Sequence, residues 1–100
     1  MNTPREERQL LKEKYQAEWD AWKAEVEKLR AKAKGAAADA QLDLNKRVRD
    51  LDTYLDKGKT TLDEIGDSAD DVWDNIKDGV SDGWNNLKNE VNKLIDRMTN

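Results

Sequence analysis

VWDNIKDGVSD at residues 72–82 is followed at once by GWNNLKNEVNK at 83–93, two versions of one eleven-residue unit. Trp73 recurs as Trp84, Ile76 as Leu87, Lys77 as Lys88 and Val80 as Val91. The same interval taken backward reaches Leu62, Ile65 and Ala69, and taken forward reaches Ile95 and Met98. Eleven residues make almost three turns of α-helix, so these apolar positions form a nearly straight stripe along one face. Such a stripe needs a partner surface, and the remainder of the chain reads as its supplier.

The upstream half opens with a helix signal. Thr3 can cap the first amides, Pro4 suits the first helical position, and Glu6 and Glu7 favour the positive end of the helix dipole. Tyr15, Trp19, Trp22, Val26, Leu29, Ala33, Ala36 and Ala40 then follow alternating steps of four and three, which is a heptad seam. The steps lengthen through Leu44, Val48, Leu51 and Leu55 toward the rhythm of the second half. Pairs such as Glu25–Lys28 and Asp43–Arg47 strengthen the flanks.

Two glycines punctuate this pattern. Gly35 costs about 1 kcal/mol against Ala in a helix, which Ala36, Ala37 and Ala38 can offset. It reads as a close-approach point inside a continuous helix, with a break there as the alternative. Gly58 reads as the turn: glycine suits the left-handed residue that closes a helix, Lys57 and Lys59 favour a C-terminus, and Thr61-Leu-Asp-Glu64 matches a capping box. The expected elements are a helix over 4–57, a turn at 58–60 and a helix over 61–98. A second start at Gly66-Asp67-Ser68 is expected to give no more than a kink.

These readings predict an all-α fold, an antiparallel two-helix hairpin whose heptad and eleven-residue seams face each other. A turn at Gly58 levels Trp22 with Ile95, Val26 with Val91, Leu29 with Leu87, Leu44 with Trp73, Leu51 with Ile65 and Leu55 with Leu62. Trp84 falls opposite the small residues Ala33, Gly35 and Ala36, and Lys46, Arg47 and Arg49 come level with Asp67, Asp70 and Asp71. The interface is expected to consist of Trp19, Trp22, Val26, Leu29, Leu44, Trp73, Ile76, Val80, Trp84, Leu87, Val91 and Ile95. The longer first arm would overhang at Leu10, Leu11, Tyr15 and Trp19, while Leu42, Tyr54, Val72 and Leu94 lie off the seam. So thin a core predicts a homo-oligomer, two hairpins forming a four-helix dimer.

Composition narrows the function. Only 36% of the 100 residues are apolar and 40% are charged, which suits long helices meeting along narrow seams. With no Cys and no His, thiol chemistry, the usual zinc sites and a His general base are excluded. Residues 1–60 hold 14 Lys/Arg against 12 Asp/Glu, a balance of +2, whereas residues 61–100 hold 4 against 10, a balance of -6. Halves of opposite sign favour packing together, and no basic face is left for nucleic acid. No basic-then-apolar leader and no long apolar run are present, so a soluble cytoplasmic protein is expected.

Three features invite a chemical reading. The four tryptophans could line a ligand cavity, but each lies on the apolar stripe, which favours packing. Asp70, Asp74, Asp78 and Asp82 form an acidic ladder without the oxygen-gathering loop that a dedicated calcium or magnesium site requires, so a solvated face is expected. No phosphate-cradling glycine loop, nucleophile elbow or metalloprotease motif appears. Neither catalysis nor a cofactor is expected. The rival reading is lipid: eleven-residue amphipathic repeats also occur in apolipoprotein-like helices lying on membrane surfaces. Against it, the polar face is acidic and anionic lipid would repel it.

Tyr15-Gln-Ala-Glu-Trp-Asp-Ala-Trp22, the following Ala24-Glu-Val-Glu-Lys-Leu-Arg-Ala-Lys-Ala33, and Ser68-Ala-Asp-Asp-Val-Trp-Asp-Asn-Ile-Lys-Asp-Gly-Val80 with the second tryptophan unit carry a resemblance. With them the chain resembles a family of small bacterial coiled-coil stress-response proteins of cyanobacteria and proteobacteria. The resemblance implies a cytoplasmic helical protein linked to stress, with no catalytic residues to carry over. The function expected is therefore that of a structural or interaction module working through helix packing.

Overall fold

The computed structural model describes residues 3–99 and contains three α-helices, with no strand among the described residues. Helix α1 (Pro4–Lys34) begins as its sequence dictates: the Thr3 hydroxyl accepts from the Glu6 amide at 3.2 Å, and Glu6 and Glu7 occupy the first turn. Lys32 and Lys34 occupy the last turn, and the chain tightens there through Gly35 N–H to Lys32 O and Ala36 N–H to Ala33 O, both 3.2 Å. Ala37 is extended (φ -61°, ψ 157°), and helix α2 (Ala38–Asp67) starts without a side-chain cap. Ser68 ends α2 in extended geometry (φ -70°, ψ 136°), its amide and hydroxyl both donating to Glu64 O at 3.1 and 2.6 Å. Helix α3 (Asp70–Thr99) follows with Asp70 and Asp71 in its first turn.

Contacts fix the directions. Lys12 lies beside Gly66, Trp19 beside Gly58, and Arg30 binds Asp52, so α1 and α2 run antiparallel. Arg8 meets Asp70, Tyr15 meets Ser81, and Glu18 meets Trp84 and Lys88, so α1 and α3 run parallel. The result is an up-down-up three-helix bundle, a rod of 54 × 21 × 17 Å.

The expected two-helix hairpin is therefore corrected to three helices. No turn occurs at 58–60, because α2 passes straight through Gly58. The reversals fall instead at Gly35–Ala37, where the sequence offers a break only as the alternative, and at Ser68, where it leads one to expect no more than a kink. The roles of the two glycines are exchanged. A Cβ on Gly35 would meet only Lys32 O at 3.8 Å, whereas one on Gly58 would lie 2.9 Å from Trp19 Cδ1 and 3.3 Å from Leu87 Cδ2. Gly58 is the point where all three helices approach one another.

The physical reason is length. Helices of 31, 30 and 30 residues cover one another from end to end, each about 45 Å long by helical rise. The hairpin would have left one arm uncovered. Tyr15, assigned to that overhang, is buried beneath α3, and Leu11 and Trp19 pack partly buried against the core, while Leu10 stays exposed. The expected pairs Leu51–Ile65 and Leu55–Leu62 lie on one helix and cannot face each other. Arg47 pairs with Asp43 on its own helix, and Asp70 pairs with Arg8 of α1 rather than with the basic residues near 47.

Each helix contributes a seam to one core: Tyr15, Trp22, Val26, Leu29 and Ala33; Val48, Leu51, Leu55, Leu62 and Ile65; Trp73, Val80, Trp84, Leu87 and Val91. On α2 the heptad steps pass through Gly58, which fills a seam position. Replacing Gly58 by Val should lower the unfolding free energy by about 2–3 kcal/mol through overpacking. The exposed Gly79, with nothing within 4 Å of a new Cβ, should instead gain about 1 kcal/mol as Gly79→Ala. Urea unfolding followed by circular dichroism reads both, and a neutral Gly58→Val would place that residue away from the helix contact.

Candidate functional site

The aromatic residues converge at mid-rod. Trp84 of α3 lies against Tyr15 at 4.4 Å between ring centroids and 9° between planes, and against Trp22 at 5.1 Å and 23°. Offset stacking of this kind adds about 0.5–1.5 kcal/mol per pair beyond area burial. The polar edges of Trp84, Tyr15 and Trp19 are occupied, whereas Trp73 Nε1 is buried without a hydrogen-bond partner. Trp84 Nε1 donates to Glu18 at 2.6 Å, Lys88 Nζ reaches the other oxygen of the same carboxylate at 3.3 Å, and Tyr15 OH donates to Ser81 Oγ at 3.4 Å. Trp19 Nε1 donates to the Leu55 carbonyl at 2.8 Å, which holds its ring against Gly58.

This arrangement joins helices. Tyr15, Glu18 and Trp22 occupy one face of α1 at steps of three and four, so a single indole from α3 touches all of them. Glu18 keeps 22% of its side chain exposed and Lys88 keeps 44%, so their ion pair adds little, while the charge-assisted indole bond fixes the axial register of α3. At the end of the rod, Arg8 donates to Ser68 O and pairs with Asp70 at 3.4 Å, attaching the start of α1 to the α2–α3 turn.

All twelve residues expected at an interface lie in this intrachain core. Trp22, Val26, Leu29, Trp73, Val80, Trp84, Leu87 and Val91 are buried, and Trp19, Leu44, Ile76 and Ile95 are partly buried against them. Trp84 does not meet the expected groove of Ala33, Gly35 and Ala36; its neighbours are Tyr15 and Trp22. Of the residues expected off the seam, Tyr54 and Leu94 pack partly buried, while Leu42 and Val72 stay exposed. Glu18, Gly58 and Ser81 are contact residues that the seam reading does not supply, and Tyr15, read as seam and as overhang, is covered by α3 of the same chain. Their signal was the shared heptad face of Tyr15 with Trp22, and the position of Gly58 between Leu55 and Leu62.

Asp70, Asp74, Asp78 and Asp82 are exposed, with Asp70 engaged by Arg8 and Asp74 by Lys77 at 3.8 Å. Among the described residues no group of three or more acidic side chains is placed to hold a metal ion. None of the described helices is long and apolar enough to cross a membrane. No family model, curated protein or solved structure matches the chain.

Trp84→Ala should cost about 3–5 kcal/mol, as expected for a buried indole. Glu18→Ala should cost about 1–3 kcal/mol by leaving the buried Nε1 without an acceptor. In a Trp84→Phe background, which removes that donor, most of the Glu18→Ala cost should disappear. A double-mutant cycle by chemical denaturation measures this, and additive costs would separate the carboxylate from the indole.

Proposed function

We propose that this protein is a non-catalytic structural or interaction module that works by helix packing and by association with further copies of itself. The observation that carries the reading is where the aromatic surface goes. Tyr15, Trp22, Trp73 and Trp84, the side chains best suited to grip a ligand, are covered by the chain's own helices. What faces outward is largely charge, with Leu10, Leu42 and Val72 as the large exposed apolar residues among those described. Those three support self-association, since apolar side chains gain most when a partner removes them from water.

The stress-linked cytoplasmic setting implied by the family resemblance belongs to the same proposal. A rigid rod with an acidic, ion-paired exterior suits a scaffold or spacer. Lipid binding is disfavoured in this reading, because laying the apolar faces on a membrane would first uncover Trp73 and Trp84. It would also bring the acidic last third of the chain against headgroups.

Co-sedimentation of the intact chain with zwitterionic and with anionic vesicles tests the choice. The protein should stay in the supernatant with both, its helicity and tryptophan emission unchanged. Binding accompanied by a shift of that emission would overturn the proposal in favour of a membrane-surface helix.

A further inference from the structure

The rod carries two open grooves, one toward each end, and the charged residues that line them are mainly acidic in one and mainly basic in the other. Where α2 turns into α3, a groove of about 710 Å³ is lined by Ala69, Val72 and Ile76 together with Asp63, Glu64 and Asp67. Toward the α1–α2 turn, a groove of about 550 Å³ holds Leu42 and Val48 among Arg30, Lys34, Arg49 and Asp52. Asp52 is already bound by Arg30 through both oxygens, at 2.8 and 3.0 Å. Among the described residues Asp63, Glu64 and Asp67 form no ion pair, and neither do Lys34 and Arg49. Each groove also holds one of the large apolar side chains that the fold leaves in solvent, Val72 at 45% exposure and Leu42 at 71%.

The opposite charge of the two halves of the sequence is scarcely consumed inside the molecule. Five of the eight ion pairs among the described residues lie within a single helix; only Arg8–Asp70, Arg30–Asp52 and Glu18–Lys88 cross between helices. Three acids without an ion pair, Asp63, Glu64 and Asp67, line one groove, and two cations without one, Lys34 and Arg49, line the other. Both grooves use α2 as a wall, with Leu42 and Glu64 separated by about 33 Å of helix at 1.5 Å per residue. One copy cannot bring its own ends together, but two copies can.

We propose that the acidic groove around Val72 receives the basic end around Leu42 of a second copy, so that molecules associate head to tail. The contact joins two different patches, so each added copy leaves one free groove of each kind, and the assembly grows as an open chain unless its rotation closes a ring. Complementary charges orient the encounter, and the paired Leu42 and Val72 surfaces leave water together. The proposal rests on self-association as read above and specifies its geometry.

Sedimentation of the full chain from micromolar to millimolar concentration, at low and high salt, tests it. The weight-average mass should climb with concentration without stopping at two copies, or stop at a closed ring, and should fall as salt screens those charges. Two charge reversals should each give a monomer, Lys34→Glu with Arg49→Glu, and Asp63→Lys with Glu64→Lys and Asp67→Lys. An equimolar mixture of the two variants should associate again, because each then offers what the other lacks. Circular dichroism checks that both fold; if either does not, the single Leu42→Glu variant takes its place and should also be monomeric. An assembly indifferent to every substitution, or a mixture that stays monomeric, would overturn the head-to-tail geometry while leaving self-association standing. A wild-type chain that is monomeric throughout would remove both.

Discussion

Three helices can pack closely at mid-rod because one position in α2 has no side chain. Gly58 occupies a seam position between Leu55 and Leu62, and the volume a Cβ would fill is taken by Trp19 from α1 and Leu87 from α3. The indole is held there by its bond to the Leu55 carbonyl, less than one turn away on the same helix. A larger residue at that point would push α2 away from both neighbours. Trp84, stacked on Tyr15 and Trp22, occupies the space on the α1–α3 side, so large and small residues alternate around the axis as dense packing requires.

Apolar seams of this regularity tolerate sliding, since a shift by one repeat again sets Leu or Val against Leu or Val. The polar contacts remove that freedom. Glu18 accepts from Trp84, one guanidinium nitrogen of Arg30 donates to both carboxylate oxygens of Asp52, and Arg8 binds both the backbone and a side chain at the α2–α3 turn. Each joins residues distant in sequence, and each is satisfied at one alignment of the helices. Their contribution is to register more than to stability, because most of the groups involved remain partly in water. The same partition explains the surface: charge not used for register within the bundle stays exposed to solvent.

Much of the core was legible in the sequence. The eleven-residue interval that links Trp73 to Trp84, Ile76 to Leu87 and Val80 to Val91 recurs as the inward face of α3, and the heptad steps from Trp22 to Leu29 recur on α1. Thr3, Pro4 and the acidic first turn mark the start of α1 where expected. What misled was the local chemistry around Gly58. Lys57-Gly58-Lys59 and the capping-box pattern after it carry every sign of a helix end, yet they lie within one. The actual breaks have weaker signals: Gly35 among alanines, followed by a helix with no side-chain cap, and Ser68, an extended residue after Gly66 and Asp67.

The sequence by itself determined that the chain is helical, which face of each helix is apolar, and which indoles and aliphatic residues share a core. Periodicity is a property of neighbours three, four and eleven residues apart, and the helix converts it directly into a surface. Only the tertiary structure decided where the chain turns and which seams meet. A glycine serves equally as a turn or as a gap for a neighbouring helix, and nothing within a few residues of Gly58 distinguishes the two. The distinction comes from Trp19 and Leu87, far away in sequence, and from burying three apolar stripes of equal length without remainder.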